Sequence, residues 1–298
     1  DIGTEERFAF RQRLDANMLL MDGATGTELH RRGVNISLPL WSARAILDAP
    51  DTLRQVHLDY LIAGAELITA NTFRTHRRNL QAGGLGARAQ ELTRRAVEIA
   101  QQAIEAAEVR AYVAGSISPL EDSYSPQRTP PDTELSVEHS AMAECLDNCG
   151  VDVILVETMN TLREAVAATK SAVITGRPTL VSVVCGSDGR LLSGESISVA
   201  AKALAALKPD ALLINCAPAP GLHRTLADLR ASTSLPIGAY GNVGVREDNG
   251  IWIQTDAVQP AAYATYAGRW RRVGAKLIGG CCGTGPAHIA ALRNDFPR

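Results

Sequence analysis

Three cysteines stand where their thiols could act together. Cys216 lies in Ile214-Asn215-Cys216-Ala217, and Cys281 and Cys282 are adjacent within Gly279-Gly280-Cys281-Cys282-Gly283-Thr284. Three thiolates can bind Zn²⁺ at about 2.3 Å each and leave a fourth tetrahedral position open. Consecutive side chains on a regular strand face opposite ways. Two neighbouring cysteines therefore reach one ion only across a sharp turn, and the flanking glycines permit one. The competing readings are small buried thiols packing as hydrophobes, or a redox pair. Two carboxylates join them. Glu157 ends the apolar run 153–156, where a lone charge is poorly solvated without a cationic partner. Asp22 ends another apolar run and could either line a pocket or cap a helix.

The elements that would position these groups recur along the chain. Short apolar runs fall at residues 18–21, 67–70, 111–114, 153–156, 180–184, 211–214, 237–240 and 276–278. Helical patterns follow them at 51–63, 92–103, 137–149, 162–174, 199–207, 222–231, 261–273 and 287–294. Continuous apolar strands alternating with amphipathic helices imply a parallel sheet covered by helices. Eight such pairs in 298 residues match a single (β/α)₈ TIM barrel spanning 1–298, with a doubly wound sheet as the rival. Asp22, Asn71, Ser116, Glu157, Cys216, Asn242 and Cys281 with Cys282 all fall at strand ends in this reading. A barrel gathers those positions at its C-terminal mouth, where catalytic groups sit.

Other residues read more plainly. Asn71 and Ser116 would orient substrate or serve as turn residues, and Trp41 and Phe73 would pack or face a cation. Cys145 and Cys149, four apart on a helix, read as core or surface thiols, and Cys185 is left open. The run 74–78 reads as a solvated loop, and 118–133 as a long loop after the third strand.

Composition narrows the partners. With 30 basic and 32 acidic side chains the net charge is −2, which gives no reason to expect nucleic acid or an acidic membrane surface. No apolar run reaches the roughly 18 residues of a membrane span, and the polar start does not resemble a secretory signal. The first residue is Asp rather than Met, so a trimmed start is expected. Six cysteines are few for a disulfide scaffold, which favours a reduced, cytoplasmic protein. A homo-oligomer is left open.

These motifs resemble those of the homocysteine S-methyltransferases. The likeness runs from about Leu19 to Leu292 and rests on Asp22-Gly23-Ala24-Thr25-Gly26-Thr27-Glu28-Leu29, Thr69-Ala70-Asn71-Thr72-Phe73, Gly115-Ser116-Ile117, Glu157-Thr158, Asn215-Cys216 and the Gly-Gly-Cys-Cys-Gly-Thr segment. The resemblance implies a zinc-dependent enzyme that moves a methyl group from a cationic onium donor to the thiolate of homocysteine, forming methionine. It implies Cys216, Cys281 and Cys282 as zinc ligands, and places Asp22 and Glu157 in the amino-acid pocket with Glu157 on the ammonium group. S-methylmethionine or S-adenosylmethionine is favoured as donor; a betaine-like donor and another thiol or selenol acceptor are the alternatives. Outside this family, a phosphoaspartyl hydrolase built on Asp22, or a non-catalytic zinc- or thiol-binding protein, would be the competing function. One departure stands out. Where relatives carry Tyr-Pro-Asn after the seventh strand, this chain has Tyr240-Gly241-Asn242, and glycine in place of proline is expected to loosen the loop.

Overall fold

Strands buried on both faces need apolar residues at every position, and the eight runs supply them. In the computed structural model, which describes residues 2–246 and 252–297, they become Leu19–Leu20, Leu67–Ala70, Tyr112–Ile117, Val153–Met159, Thr179–Val183, Ala211–Pro218, Ile237–Asn242 and Ala275–Gly280. We number these barrel strands one to eight. Each pairs in parallel with its neighbour in sequence from two to seven, strand eight follows strand seven, and strand one lies against strand eight. The ring closes at the remaining seam. Met21 bridges Leu67, the Asp22 amide donates to the Leu67 carbonyl at 2.9 Å, and the Glu66 amide donates to Leu20 at 2.7 Å. The expected barrel is observed, and the doubly wound alternative is excluded by this closure.

Alternation along the strands sorts the side chains. Leu19, Met21, Leu67, Ala114, Val153, Leu155, Leu180, Leu213 and Leu277 form an inner core. Their outward neighbours, such as Leu20, Ile68, Ile154 and Val156, pack against the helices. Continuing the inward register of Val153 and Leu155 by two residues arrives at Glu157, and that of Leu213 arrives at Asn215. The lower lumen is therefore apolar and its upper layer polar. Helix faces follow the expected period: Leu92, Ala96, Ile99 and Ala103 are all buried on the helix Ala89–Ala107.

Several elements were not expected. A helix at Ile2–Ala16 contributes Phe10 and Leu14 to the inner core, so it stops the floor of the barrel. Its Arg13 bonds Glu66 at 2.6 Å, and its Arg7 bonds Asp210 at 3.1 Å. A short hairpin, Gly244–Arg246 with Trp252–Gln254, follows strand seven. The run 74–78 is not a solvated loop: Thr75 and His76 are buried, and His76 caps the helix Arg77–Ala82 by accepting from the Asn79 amide. The stretch 118–133 is mostly irregular, as expected, but holds a 3₁₀ turn at Pro126–Arg128 and the start of the helix Asp132–Asn148. No helix among the described residues is long and apolar enough to cross a membrane.

His57 is fully buried on the helix Pro50–Ala63, with neither ring nitrogen partnered among the described residues. Burial holds its pKa down at about 4. A base depressed on folding contributes stability that is present above its unfolded pKa, near 6.5, and is lost as pH falls towards 4. His57→Leu is expected to flatten this acid limb. Urea midpoints at pH 7 and pH 5 should differ less in the variant than in the wild type; an equal pH dependence would contradict the assignment.

Candidate active site

The sulfurs of Cys216, Cys281 and Cys282 all lie within 4.8 Å of one another. Those of Cys216 and Cys281 are 2.7 Å apart. Two backbone departures bring them together. Cys216 lies within strand six rather than at its end, and it adopts φ 51°, a left-handed conformation that costs an L residue about 1–2 kcal/mol. The strand register slips there, between Asn215 and Pro218. After strand eight the chain turns tightly. A Cβ on Gly279 would sit 2.7 Å from Met21 Cβ, so only glycine allows strand eight to press against strand one. The Cys-Cys turn is then tied from every side. The Cys281 amide donates to Gly241 at 2.9 Å, that of Cys282 to Asn242 Oδ1 at 3.1 Å, and that of Gly283 to Thr27 Oγ1 at 3.0 Å.

Thiols this close share protons. Cys282 is held well below the ordinary thiol range by hydrogen bonds, first from Cys216 and then from Cys281. Cys216 is pushed well above it by the bonds it makes to Cys281 and Cys282. One sulfur thus carries charge readily while its neighbours donate to it, which is the chemistry of a soft-metal donor set. Tetrahedral sulfur ligands at about 2.3 Å from zinc stand roughly 3.8 Å apart, so three converging sulfurs on this scale fit such an ion. Among the described residues this is the only such group of potential metal ligands.

One cavity collects most of the residues singled out above. It is lined by Asp22, Trp41, Asn71, Phe73, Ser116, Glu157, Cys216, Cys281 and Cys282. Glu157 is buried inside strand four. Its Oε1 accepts from Ser116 Oγ at 2.6 Å and its Oε2 from the Tyr240 hydroxyl at 2.8 Å. Burial raises its pKa, and the two donors oppose the rise. Asp22 accepts from the Thr69 amide at 2.8 Å and the Thr69 hydroxyl at 3.3 Å. Burial pushes its pKa up to about 8, with the Thr69 bonds opposing and the charge of Glu157 adding. The helix-cap reading of Asp22 is not upheld: the following helix, Gly26–Arg31, has Thr25 at its N-cap. Asn71 donates to the Ser42 carbonyl at 2.7 Å, so its amide is partly committed to the scaffold. Trp41 and Phe73 do both things expected of them, packing edge to face at 5.9 Å while bordering the cavity.

Cys185 lines a neighbouring cavity, and Cys145 and Cys149 lie half-buried on and beside the helix Asp132–Asn148. Asn242 supports Cys282 through its side chain rather than lining the main cavity. Tyr240, which donates to Glu157, was not singled out from the sequence. Its signal was a phenol in the inward register at the top of strand seven, which a buried site must satisfy. The expected loosening at Gly241 is overturned as well. Its amide donates to the Tyr263 hydroxyl at 3.0 Å, a bond proline could not make, and Tyr263 donates onward to the Gly279 carbonyl at 2.7 Å.

Comparison with known proteins decides the lineage. The family model described as homocysteine S-methyltransferase matches residues 19–296. The chain belongs to the homocysteine S-methyltransferase family. The chain is 34% identical to a homocysteine S-methyltransferase of Escherichia coli, over 93% of this chain and 94% of that one. It is 31% identical to homocysteine S-methyltransferase 4 of Zea mays, over 92% and 87% respectively. Among solved structures, the metallated form of the E. coli homocysteine methyltransferase MmuM aligns with a TM-score of 0.84 at 31% identity, covering 96% of this chain and 99% of that one. Its apo form aligns at 0.75 and 29% identity, covering 93% and 95%. A homocysteine S-methyltransferase is an enzyme, so the non-catalytic reading falls, and its reaction is methyl transfer to homocysteine. The phosphoaspartyl reading is left without support, since the family model and the curated relatives are methyltransferases.

An acid whose pKa rises on folding contributes stability that is full below its unfolded value, near 3.8, and is lost as pH climbs to about 8. Asp22→Asn keeps an acceptor for Thr69 without a charge. The metal-free variant should therefore gain stability over metal-free wild type at pH 8 relative to pH 4, read as the shift in urea midpoint. An unchanged difference between the two pH values would refute the burial argument.

Proposed function

We propose that this homocysteine S-methyltransferase holds zinc on Cys216, Cys281 and Cys282 and takes its methyl group from a sulfonium donor. The observation that carries the reading is the convergence of three sulfurs on a cavity that also contains a buried, doubly hydrogen-bonded carboxylate. Bound zinc would supply the Lewis acidity that keeps an added thiol deprotonated at neutral pH.

The protein side chains do the rest. Glu157, held by Ser116 and Tyr240, receives the ammonium group of homocysteine and fixes the amino acid relative to the cysteines. Asp22 borders the same pocket and lends a second carboxylate when a cation enters, since a neighbouring positive charge favours its ionised form. Ser116 and Asn71 act by holding Glu157 and the Ser42 segment in place. The thiolates of Cys216, Cys281 and Cys282 with a bound divalent ion would together carry one net negative charge, and a homocysteine thiolate would add another. That excess charge draws a cationic donor and keeps the attacking sulfur electron-rich. In the transfer, the homocysteine sulfur forms a bond to the methyl carbon as the donor's S–C bond breaks. The bonding pair leaves with the donor as a neutral thioether, so no general base is needed.

Zinc-loaded enzyme with homocysteine should form methionine from S-methylmethionine or S-adenosylmethionine, and less from betaine, as read by mass spectrometry. Failure with every onium donor would sink the proposal. Chelation of the metal, or Cys216→Ser, should abolish turnover, with zinc restoring the chelated wild type. Glu157→Gln should reduce kcat/KM for homocysteine on the order of 100-fold, as expected for a buried charge pair losing one partner. A wild-type value would remove Glu157 from the ammonium site.

A further inference from the structure

Asn215 precedes the first of the three cysteines, and its side chain is fully buried in the polar layer at the top of the lumen. Its orientation can be assigned from chemistry. The Thr158 backbone amide can only donate, so the atom facing it at 3.1 Å must be Oδ1. That oxygen also accepts from Ser182 Oγ at 2.6 Å. The NH₂ group is thereby aimed the other way, at Thr158 Oγ1, 2.9 Å distant, and at the sulfur of Cys216, 3.4 Å distant. Every hydrogen-bonding position of the amide is in use, so it cannot flip without leaving a buried group unpaired.

The two residues this amide grips share an unusual backbone. Thr158 has φ 62° and Cys216 has φ 51°, both left-handed and neither a glycine. Thr158 sits in strand four beside Glu157, and Cys216 sits two strands away in strand six. One side chain thus ties the element carrying the carboxylate to the element carrying a thiol, with Ser182 of strand five as its anchor. We infer that Asn215 is a positioning residue for the metal site: its N–H donates to the Cys216 sulfur, fixing the direction and charge of that ligand, while its oxygen locks the left-handed turn beside Glu157. This rests on the zinc reading given above. Groups that hydrogen-bond metal ligands commonly set metal affinity by 10–100-fold.

The discriminating variant is Asn215→Asp. It keeps the shape and the acceptor for Thr158 and Ser182, but it presents an oxygen without a proton to the Cys216 sulfur. Zinc affinity is measured by competition with a chromophoric chelator, and the thiolate-to-metal absorption by cobalt(II) substitution. Apo-protein circular dichroism and the unfolding transition report whether the fold is retained. A folded Asn215→Asp chain should bind zinc roughly 10–100-fold more weakly and show a displaced cobalt charge-transfer band. A purely structural role would lower the unfolding midpoint and leave both metal readouts alone. Ser182→Ala releases the anchor without touching the N–H donor, and a smaller, several-fold loss of zinc affinity is expected. If Asn215→Asp does not fold, wild-type zinc affinity in Ser182→Ala overturns the inference. Wild-type protein that takes up no zinc would defeat the zinc reading and this inference with it. Tight zinc binding by wild type and by Asn215→Asp alike, with one cobalt spectrum, would defeat the role of Asn215 alone.

Discussion

Neighbouring strands in a sheet are spaced about 4.8 Å apart, so strands six and eight stand nearly 10 Å from each other with strand seven between. For their thiols to meet at 2.7 Å, both must reach inward across the top of strand seven. Almost every local peculiarity of the site serves that crossing. Strand six bends where Cys216 turns left-handed, strand eight ends in a glycine-framed turn, and strand seven presents Gly241 in between. A Cβ on Gly241 would meet the Ala217 carbonyl and Ala219 Cα at 3.2 Å. The Tyr263 hydroxyl then clasps the backbones of strands seven and eight from behind.

Much of this was legible in the sequence, for a physical reason. A strand buried on both faces must be apolar throughout, so the eight barrel strands announce themselves, and any polar residue closing such a run has to be accounted for. Asp22, Ser116, Glu157, Cys216 and the Cys281–Cys282 pair all emerged that way, and all line one cavity. What stayed hidden depended on tertiary partners. The helix Ile2–Ala16 anchors itself in the inner core through Phe10 and Leu14, too sparse a pattern to read as a helical face. His76 looked solvated because its neighbours are arginines, yet it is buried and caps a helix. Gly241 looked like a loss of rigidity because sequence lists the missing ring of proline and cannot list the hydrogen bond that a free amide gains.

The electrostatics of the cavity have a common logic. Asp22 and Glu157 are buried with hydrogen-bond donors that are neutral: the Thr69 amide and hydroxyl, the Ser116 hydroxyl and the Tyr240 phenol. Among the described residues neither acid is held in an ion pair, whereas other buried acids such as Glu66 and Asp210 are matched by arginines. Neutral donors orient a carboxylate without satisfying its charge. The acids are thus left with an unspent attraction for a cation, which is what an incoming ammonium group offers.

Strand one stands between an early neighbour, strand two, and the last barrel strand. Met21 bridges Leu67 on one side, while Leu19 and Leu20 pair with Leu277 and Ile278 on the other. Asp22 emerges at this junction, next to the turn that carries Cys281 and Cys282. During synthesis on the ribosome, Cys216 is made well before Cys281 and Cys282, and it can meet them only once strand eight has docked beside strand seven. The thiol cluster therefore waits on the last barrel strand, and an ion held there would tie strand eight to strand six across strand seven.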